Sequence, residues 1–419
     1  MILPTMYRVR QHLERPILSD IPGTVQSELA RLDLSRRIKP GHRVALTAGS
    51  RGIANIPVIL RAVADHLKSL GAQPFLIPTM GSHGGGVAAK QRSIIESYGI
   101  TEQFVGVPIL ASMETVEVGT TPEGWPVLLD RHAHEADHIA VIGRIKPHTA
   151  FHGPIESGLL KMILIGLGKH TGALWYHRLL IEQDYDHVVR SVARTMLGVA
   201  PIAFGLGIVE NGYDETAIIE AITPADFERR EEALLVEARR LLPKLPARVG
   251  DLLIVDQIGK EISGSGMDTN VVGRKRAFRG QPAPADMPNY RLIFVRGLSP
   301  KTQGNASGVG LADFTTKRLI ESMNYADTVT NCLTAGYPEG AFLPVYMNSD
   351  REVIEAALKI IGLRTPEQAR VVRILDTLHV DEVEVSEAVL AEPAPQTRYE
   401  VIGKGSPYRF DEQGNLPAL

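Results

Sequence analysis

The sequence predicts an α/β protein of two domains with largely parallel sheets, and three observations carry that reading. HRVALTAG (42–49) and QPFLIPTMG (73–81) are apolar runs of strand length with a helical pattern between them, which makes a strand–helix–strand unit. At 419 residues the chain exceeds one ordinary domain. The charged amphipathic stretch FERREEALLVEARRLLPKLPARVGD breaks at Pro243 and Pro246 before a fresh apolar run opens. The expected division is therefore 1–246 and 247–395, with 396–419 set apart as a tail that would pack back on the N-terminal domain.

Taken in order, the helix after the first strand has apolar positions at Ile56, Ile59, Leu60, Val63 and Leu67, and Gly71 closes it. HIAVIGR (138–144) is another buried strand. Residues 158–167 and 183–198 read as helical. DLLIVDQIG (251–259) and RLIFVRGL (291–298) are strands of the second half, and 351–362 and 366–378 carry helical patterns. PTMGSHGGG and IGRIKPH both run off the C-terminal ends of strands, where open α/β sheets bind ligands.

Composition narrows the function. Hydrophobic content of 44 % and charged content of 22 % suit a globular protein with a sizeable core, and a formal net charge of -3 without a long basic run argues against nucleic acid or an anionic membrane as partner. Cys332 is the only cysteine, so neither an internal disulfide nor a cysteine-rich metal site is available. The start, MILPTMYRVRQHLERP, lacks an apolar core of signal-peptide length, and the expected compartment is the cytoplasm. The most apolar run, LLKMILIGLGK, is short and contains lysine, unlike a membrane span.

Histidine is the informative residue: eight of the 13 lie between His132 and His187. His134, Glu135 and His138 spell H-E-x-x-H, which on a regular helix would hold zinc for a hydrolase. Asp137 between the histidines and the strand beginning at His138 oppose that reading, which stands as the alternative. GSHGGG (81–86) sets His83 among glycines at the end of a buried strand, an expensive arrangement for mere connection. GLGKHTG (166–172) fails the phosphate-loop pattern, with Ile163 and His170 where glycine and Ser or Thr belong. Lys161 sits in SGLLKMILIG, apolar on nearly every helical face. Its ammonium must be paired, deprotonated or chemically neutralised there, unless the stem is buried and the head reaches water. His177 follows 16 residues later beside Trp175 and Tyr176.

Taken together and in order, TAGSRG, PTMGSHGGG, GRIKPHTAFHGPIESGLLKM, WYHR and GKEISGSGMDTNVVGR resemble the nickel-dependent lactate racemase family, over roughly residues 40 to 350. The resemblance implies two α/β domains with the active site in the cleft between them, and a reaction that interconverts the configurations of a 2-hydroxy acid. It implies a nickel-pincer nucleotide, the nickel complex of pyridinium-3,5-bisthiocarboxylic acid mononucleotide, joined covalently to Lys161. His177 would be the nickel ligand. His83 and His148 would be the two acid/base histidines, and Arg51 would hold the substrate carboxylate. The N-terminal domain would thus carry the nickel and acid/base histidines. In the second domain, Asp268 and Asn270 match the motif that closes on the cofactor; for the family's second-domain lysine, Lys260, Arg274, Lys275 and Arg276 compete, and Lys260 is taken because GKEISG lies close to that motif. Cofactor supply would require a carboxylase, a sulfur transferase and a nickel insertase as partners. The chain departs from lactate racemases in carrying SGLLK where they have a glycine–glycine–arginine–lysine run. Its loops also differ from the lactate-specific versions. Lys146, Arg144 and Arg274 would suit a second carboxylate, so a malate-like acid is preferred to lactate.

Overall fold

The computed structural model describes residues 1–49, 52–278, 284–392 and 397–419. Fifteen strands occur among them. In the first half they are β1 (Thr5–His12), β2 (Arg43–Ala48), β3 (Gln73–Pro78), β4 (Thr115–Thr120), β5 (Pro126–Asp130), β6 (His138–Arg144), β7 (Ile202–Glu210) and β8 (Thr216–Ile222). The rest are β9 (Val249–Val255), β10 (Asn289–Val295), β11 (Phe314–Thr316), β12 (Val345–Met347), β13 (Val371–Ile374), β14 (Glu382–Ser386) and β15 (Arg398–Pro407). The architecture is mixed α/β with largely parallel sheets, as the sequence predicts.

The chain divides into two compact units. The N-terminal unit comprises Arg15–His148 and His152–Leu242; the C-terminal unit comprises Pro243–Leu419 together with Met1–Glu14 and Thr149–Phe151. The boundary between Leu242 and Pro243 follows the end of the helix Phe227–Leu241. The sequence-drawn bounds differ at the chain ends, which they assign to the N-terminal domain. β1 lies between β14 and β15 in the sheet of the C-terminal unit, hydrogen-bonded antiparallel to both, and so carries the first residues and the tail into that unit.

The N-terminal unit holds a five-stranded sheet in the order β3-β2-β6-β7-β8, parallel except for β8. Its strands read as continuous apolar runs because both faces are covered. The helix Ile56–Ser69 buries Ile59, Leu60, Val63 and Leu67 on one face against that core. The β4–β5 hairpin stands apart as a two-stranded sheet.

The C-terminal unit holds eight strands in the order β12-β11-β10-β9-β13-β14-β1-β15. Alternate residues serve opposite faces. Leu253, Val255, Ile293 and Val295 join one apolar cluster, while Leu252, Ile254, Leu292 and Phe294 join another. Residues 366–378 are not a helix: a single 3-10 turn, Pro366–Gln368, precedes β13. Val371 and Val372 are β-branched and fully buried between β9 and β14, and strand pairing overrides the helical spacing. No helix among the described residues is long and apolar enough to cross a membrane.

Candidate active site

Parallel strands bring their C-terminal ends to one edge of a sheet. In the N-terminal unit the order reverses at β2, with β3 on one side and β6 on the other, which makes a switch point of the kind where ligands bind. Three loops leave that edge: the one after β2 that contains Arg51, the one after β3 that contains His83, and the one after β6 that contains His148. Arg51 itself lies outside the described residues. The end of its loop is anchored, since Glu210 Oε1 accepts the Ala54 N–H at 2.6 Å and Thr216 bonds both Asn55 and Ala54.

His83 opens a short 3-10 turn whose glycines, Gly84, Gly85 and Gly86, all have positive φ. Gly86 is required by packing as well, because a Cβ there would stand 2.7 Å from the His170 ring. Buried Gln91 donates to the carbonyls of Gly81 (2.9 Å) and His83 (3.0 Å), which pins the turn from behind. The turn packs against the helix Lys169–Glu182, which carries His177.

His148 ends a short run after β6. Its backbone N–H donates to Glu156 at 2.5 Å, and its ring stacks on Tyr185 with centroids 6.3 Å apart and planes 23° from parallel. The next three residues, Thr149–Phe151, are counted with the C-terminal unit. There Thr269 Oγ1 donates to Thr149 O at 2.5 Å, and the buried Lys275 donates to Phe151 O at 3.2 Å.

Lys161 closes a single helical turn, Leu159–Lys161, which passes into a π-helical turn, Met162–Gly166. Its side chain is half-buried rather than engulfed, so the expected isolated ammonium in an apolar segment is relaxed by partial access to water. The fully buried lysine is Lys169, paired with buried Asp130 at 3.2 Å and donating to Pro78 O at 2.6 Å. Burial lowers its pKa and Asp130 opposes that shift. Lys161 lies close enough to His177 for its charge to act there. Crowding by the protein, followed by the Lys161 charge, holds the His177 imidazole below its ordinary pKa, although much of that residue's surface faces solvent.

The C-terminal unit's candidates have structural partners. Asp268 caps the turn Thr269–Val272 by accepting the Asn270 N–H at 2.9 Å, and Asn270 Nδ2 donates to the same carboxylate at 2.7 Å. Lys260 Nζ donates to Gly264 O at 2.8 Å. Two of the cations considered for a second substrate carboxylate are engaged, Arg144 with Glu210 and Arg274 with Asp313.

The zinc arrangement does not form. The helix Arg131–His134 ends before Glu135, and His138 already belongs to β6, so the two histidines do not share a helical face. His138 Nε2 instead meets His42 Nδ1 at 3.0 Å, and Asp137 accepts the Arg43 N–H at 2.7 Å. Among the described residues no three His, Cys, Asp or Glu side chains gather as a metal cage. A metal held by side chains alone lacks a donor set there, whereas a group that brings its own donors and takes one imidazole suits His177 beside Lys161. The sequence reading passed over Glu156, Gln91, Tyr185 and Glu231, because their spacing carries no motif and only their burial and partners mark them.

Comparison with known proteins bears on this site. Residues 29–188 match the family model for the lactate racemase N-terminal domain. A search among curated proteins finds no match. Among solved structures, the chain is similar to the lactate racemase apoprotein from Thermoanaerobacterium thermosaccharolyticum. The TM-score is 0.51 at 15 % identity, over 89 % of this chain and 93 % of that one. At that identity the likeness speaks for the fold.

Proposed function

We propose that this lactate racemase-like chain is an isomerase that inverts the hydroxyl-bearing carbon of a 2-hydroxy acid with the help of a nickel-pincer nucleotide. The observation that carries the reading is the grouping within one unit. The loops bearing His83 and His148 leave one sheet edge, and the His83 turn packs on the helix of His177, which feels the charge of Lys161.

Lys161 would supply the amine that anchors the nucleotide, and His177 would be the one protein ligand to its nickel. When bound, such a group supplies a hydride acceptor that no side chain offers. The chain's residues then have separable tasks. Arg51 would hold the substrate carboxylate by paired hydrogen bonds. One of His83 and His148 would take the proton from the substrate hydroxyl oxygen, and the other would return a proton to that oxygen for the opposite hand. Two bases suit an inversion, because each configuration presents its hydroxyl in a different direction. Asp268 and Asn270 would contribute to the cofactor's surroundings through the capped turn they build, and Lys260 through its ammonium. Arg144 and Arg274 are engaged by carboxylates and do not mark a place for the second carboxylate of a malate-like acid. The substrate class is therefore left at a 2-hydroxy acid.

The test is to produce the protein alongside a carboxylase, a sulfur transferase and a nickel insertase that make the cofactor. Nickel and a mass increment on the Lys161 peptide are then sought. Enantiopure 2-hydroxy acids incubated with the loaded protein are read by chiral chromatography. The expected result is conversion of one enantiomer to the other, lost in Lys161→Ala and His177→Ala. A protein with neither nickel nor any bound nucleotide, and no interconversion across the panel, removes the proposal.

A further inference from the structure

The segment from Lys146 to Ser157 is an excursion closed at its base, where the Lys146 N–H donates to Ser157 O at 2.9 Å. Inside that base sits Glu156, 1 % exposed and without a role in the chemistry above. Its Oε2 accepts the His148 N–H at 2.5 Å. Its Oε1 accepts the Gly153 N–H at 3.3 Å and Arg239 Nη2 at 2.6 Å, and His152 Nδ1 stands 3.4 Å from the same oxygen. Arg239 also donates to Gly153 O at 2.5 Å. Tyr185 completes the arrangement, its phenol donating to Glu156 O while its ring lies along the His148 imidazole.

Burying a carboxylate costs several kcal/mol unless its charge and lone pairs are met. Here one carboxylate meets both ends of the excursion, His148 on one side and His152 with Gly153 on the other. A connection between β6 and the following turn needs no such device. An ionised carboxylate only accepts hydrogen bonds, so it favours the proton on the facing Nδ1 of His152 over Nε2.

We propose that Glu156 is the positioning residue of the His148–His152 pair, fixing the backbone from which His148 projects and the tautomer of His152. The inference rests on the reading of His148 as an acid/base group. Misplacement of such a group by about 1 Å is worth on the order of a hundredfold in rate.

Glu156→Ala and Glu156→Gln, each in the full chain, separate the two parts of the clamp. In cofactor-free Glu156→Ala, the amides of His148 and Gly153 should exchange with deuterium about tenfold faster or more, while exchange elsewhere is unchanged. In Glu156→Gln a single carbonyl oxygen remains, which can accept from the His148 N–H or from the Gly153 N–H but not from both, so protection at one of the two amides should stay within about threefold of wild type. With loaded protein, kcat should fall about a hundredfold in Glu156→Ala and about tenfold or more in Glu156→Gln, with KM held within about threefold. The clamp is refuted by Glu156→Ala exchanging like wild type, or by either variant keeping kcat within about threefold of a wild type that turns over. Should Glu156→Ala not unfold cooperatively, the kcat and KM of Glu156→Gln decide. A wild type that interconverts no hydroxy acid overturns the proposed function alone, and the exchange experiment still decides the clamp.

Discussion

At the scale of single residues, Glu231 makes the sharpest prediction. It is wholly buried, and its Oε2 accepts the Leu160 N–H at 2.9 Å, capping from outside the turn that carries Lys161. Gly158, at the N-cap of that turn, offers no side chain to do so; a Cβ there would stand 2.3 Å from Glu231 Oε1. Glycine and carboxylate thus require each other. Burial pushes the Glu231 pKa up to about 7, against the opposing pull of the Leu160 and Leu159 amides and the Arg190 charge. A carboxyl whose folded pKa is raised stabilises fully below its unfolded pKa, and that contribution is lost as pH climbs through the folded value. Unfolding free energy should therefore fall between about pH 5 and pH 8, by about 3 kcal/mol if this group acts alone. Urea titrations across that range should show the slope in wild type and a flatter profile in Glu231→Gln. A wild type that gains stability over the same range would contradict the assignment. Gly158→Ala should cost about 1–3 kcal/mol by overpacking, read from the same titrations at pH 7.

At the scale of elements, the helix Lys169–Glu182 begins in an unusual way. Lys169 has φ 55°, in the left-handed region, and is completely buried. What holds it there is the pair with Asp130 and the bond to Pro78 O, which tie the helix start to the ends of β5 and β3. Removing one member leaves the other as an uncompensated buried charge. Lys169→Met should cost about 3–5 kcal/mol, and Lys169→Met with Asp130→Asn markedly less, since no lone charge remains. Asparagine is chosen because Asp130 Oδ1 also accepts the Ala133 N–H at 3.0 Å and caps the helix Arg131–His134. Equal losses in the single and double variants, measured by chemical denaturation, would show that the pair is not what holds the helix start.

At the scale of the whole molecule, the chain ends complete the C-terminal unit. β15 pairs with β1, and beyond it the carbonyls of Leu416 and Pro417 accept from Arg296 and Arg373. Both arginines are nearly buried and share Asp256, with Asp350 on Arg296 and Glu384 on Arg373. Tyr408 and Phe410 pack on the same apolar cluster as Leu252 and Phe294. Deleting residues 397–419 should lower stability by more than about 3 kcal/mol, because it strips acceptors from buried guanidinium groups and bares apolar surface together. Calorimetry of the truncated chain tests this; a melting profile identical to wild type would mean the tail is dispensable.

The sequence by itself determined the parallel α/β character and which histidine-bearing loops leave strand ends. Both follow from local apolar runs and glycines, which act over a few residues. It missed β13 as a strand and the placement of β1 and β15, because strand pairing is decided by partners outside the local stretch, which for β1 lie more than 370 residues along the chain. It left open whether Lys161 is engulfed or reaches water, and it did not mark Lys169, the buried lysine that finds a carboxylate. Only the tertiary structure decided that Arg144 and Arg274 are engaged, that His134 and His138 do not share a helical face, and that Glu156 and Glu231 stand behind His148 and Lys161. Burial and pairing of a charge are properties of what the fold brings around it, and no spacing along the chain encodes them.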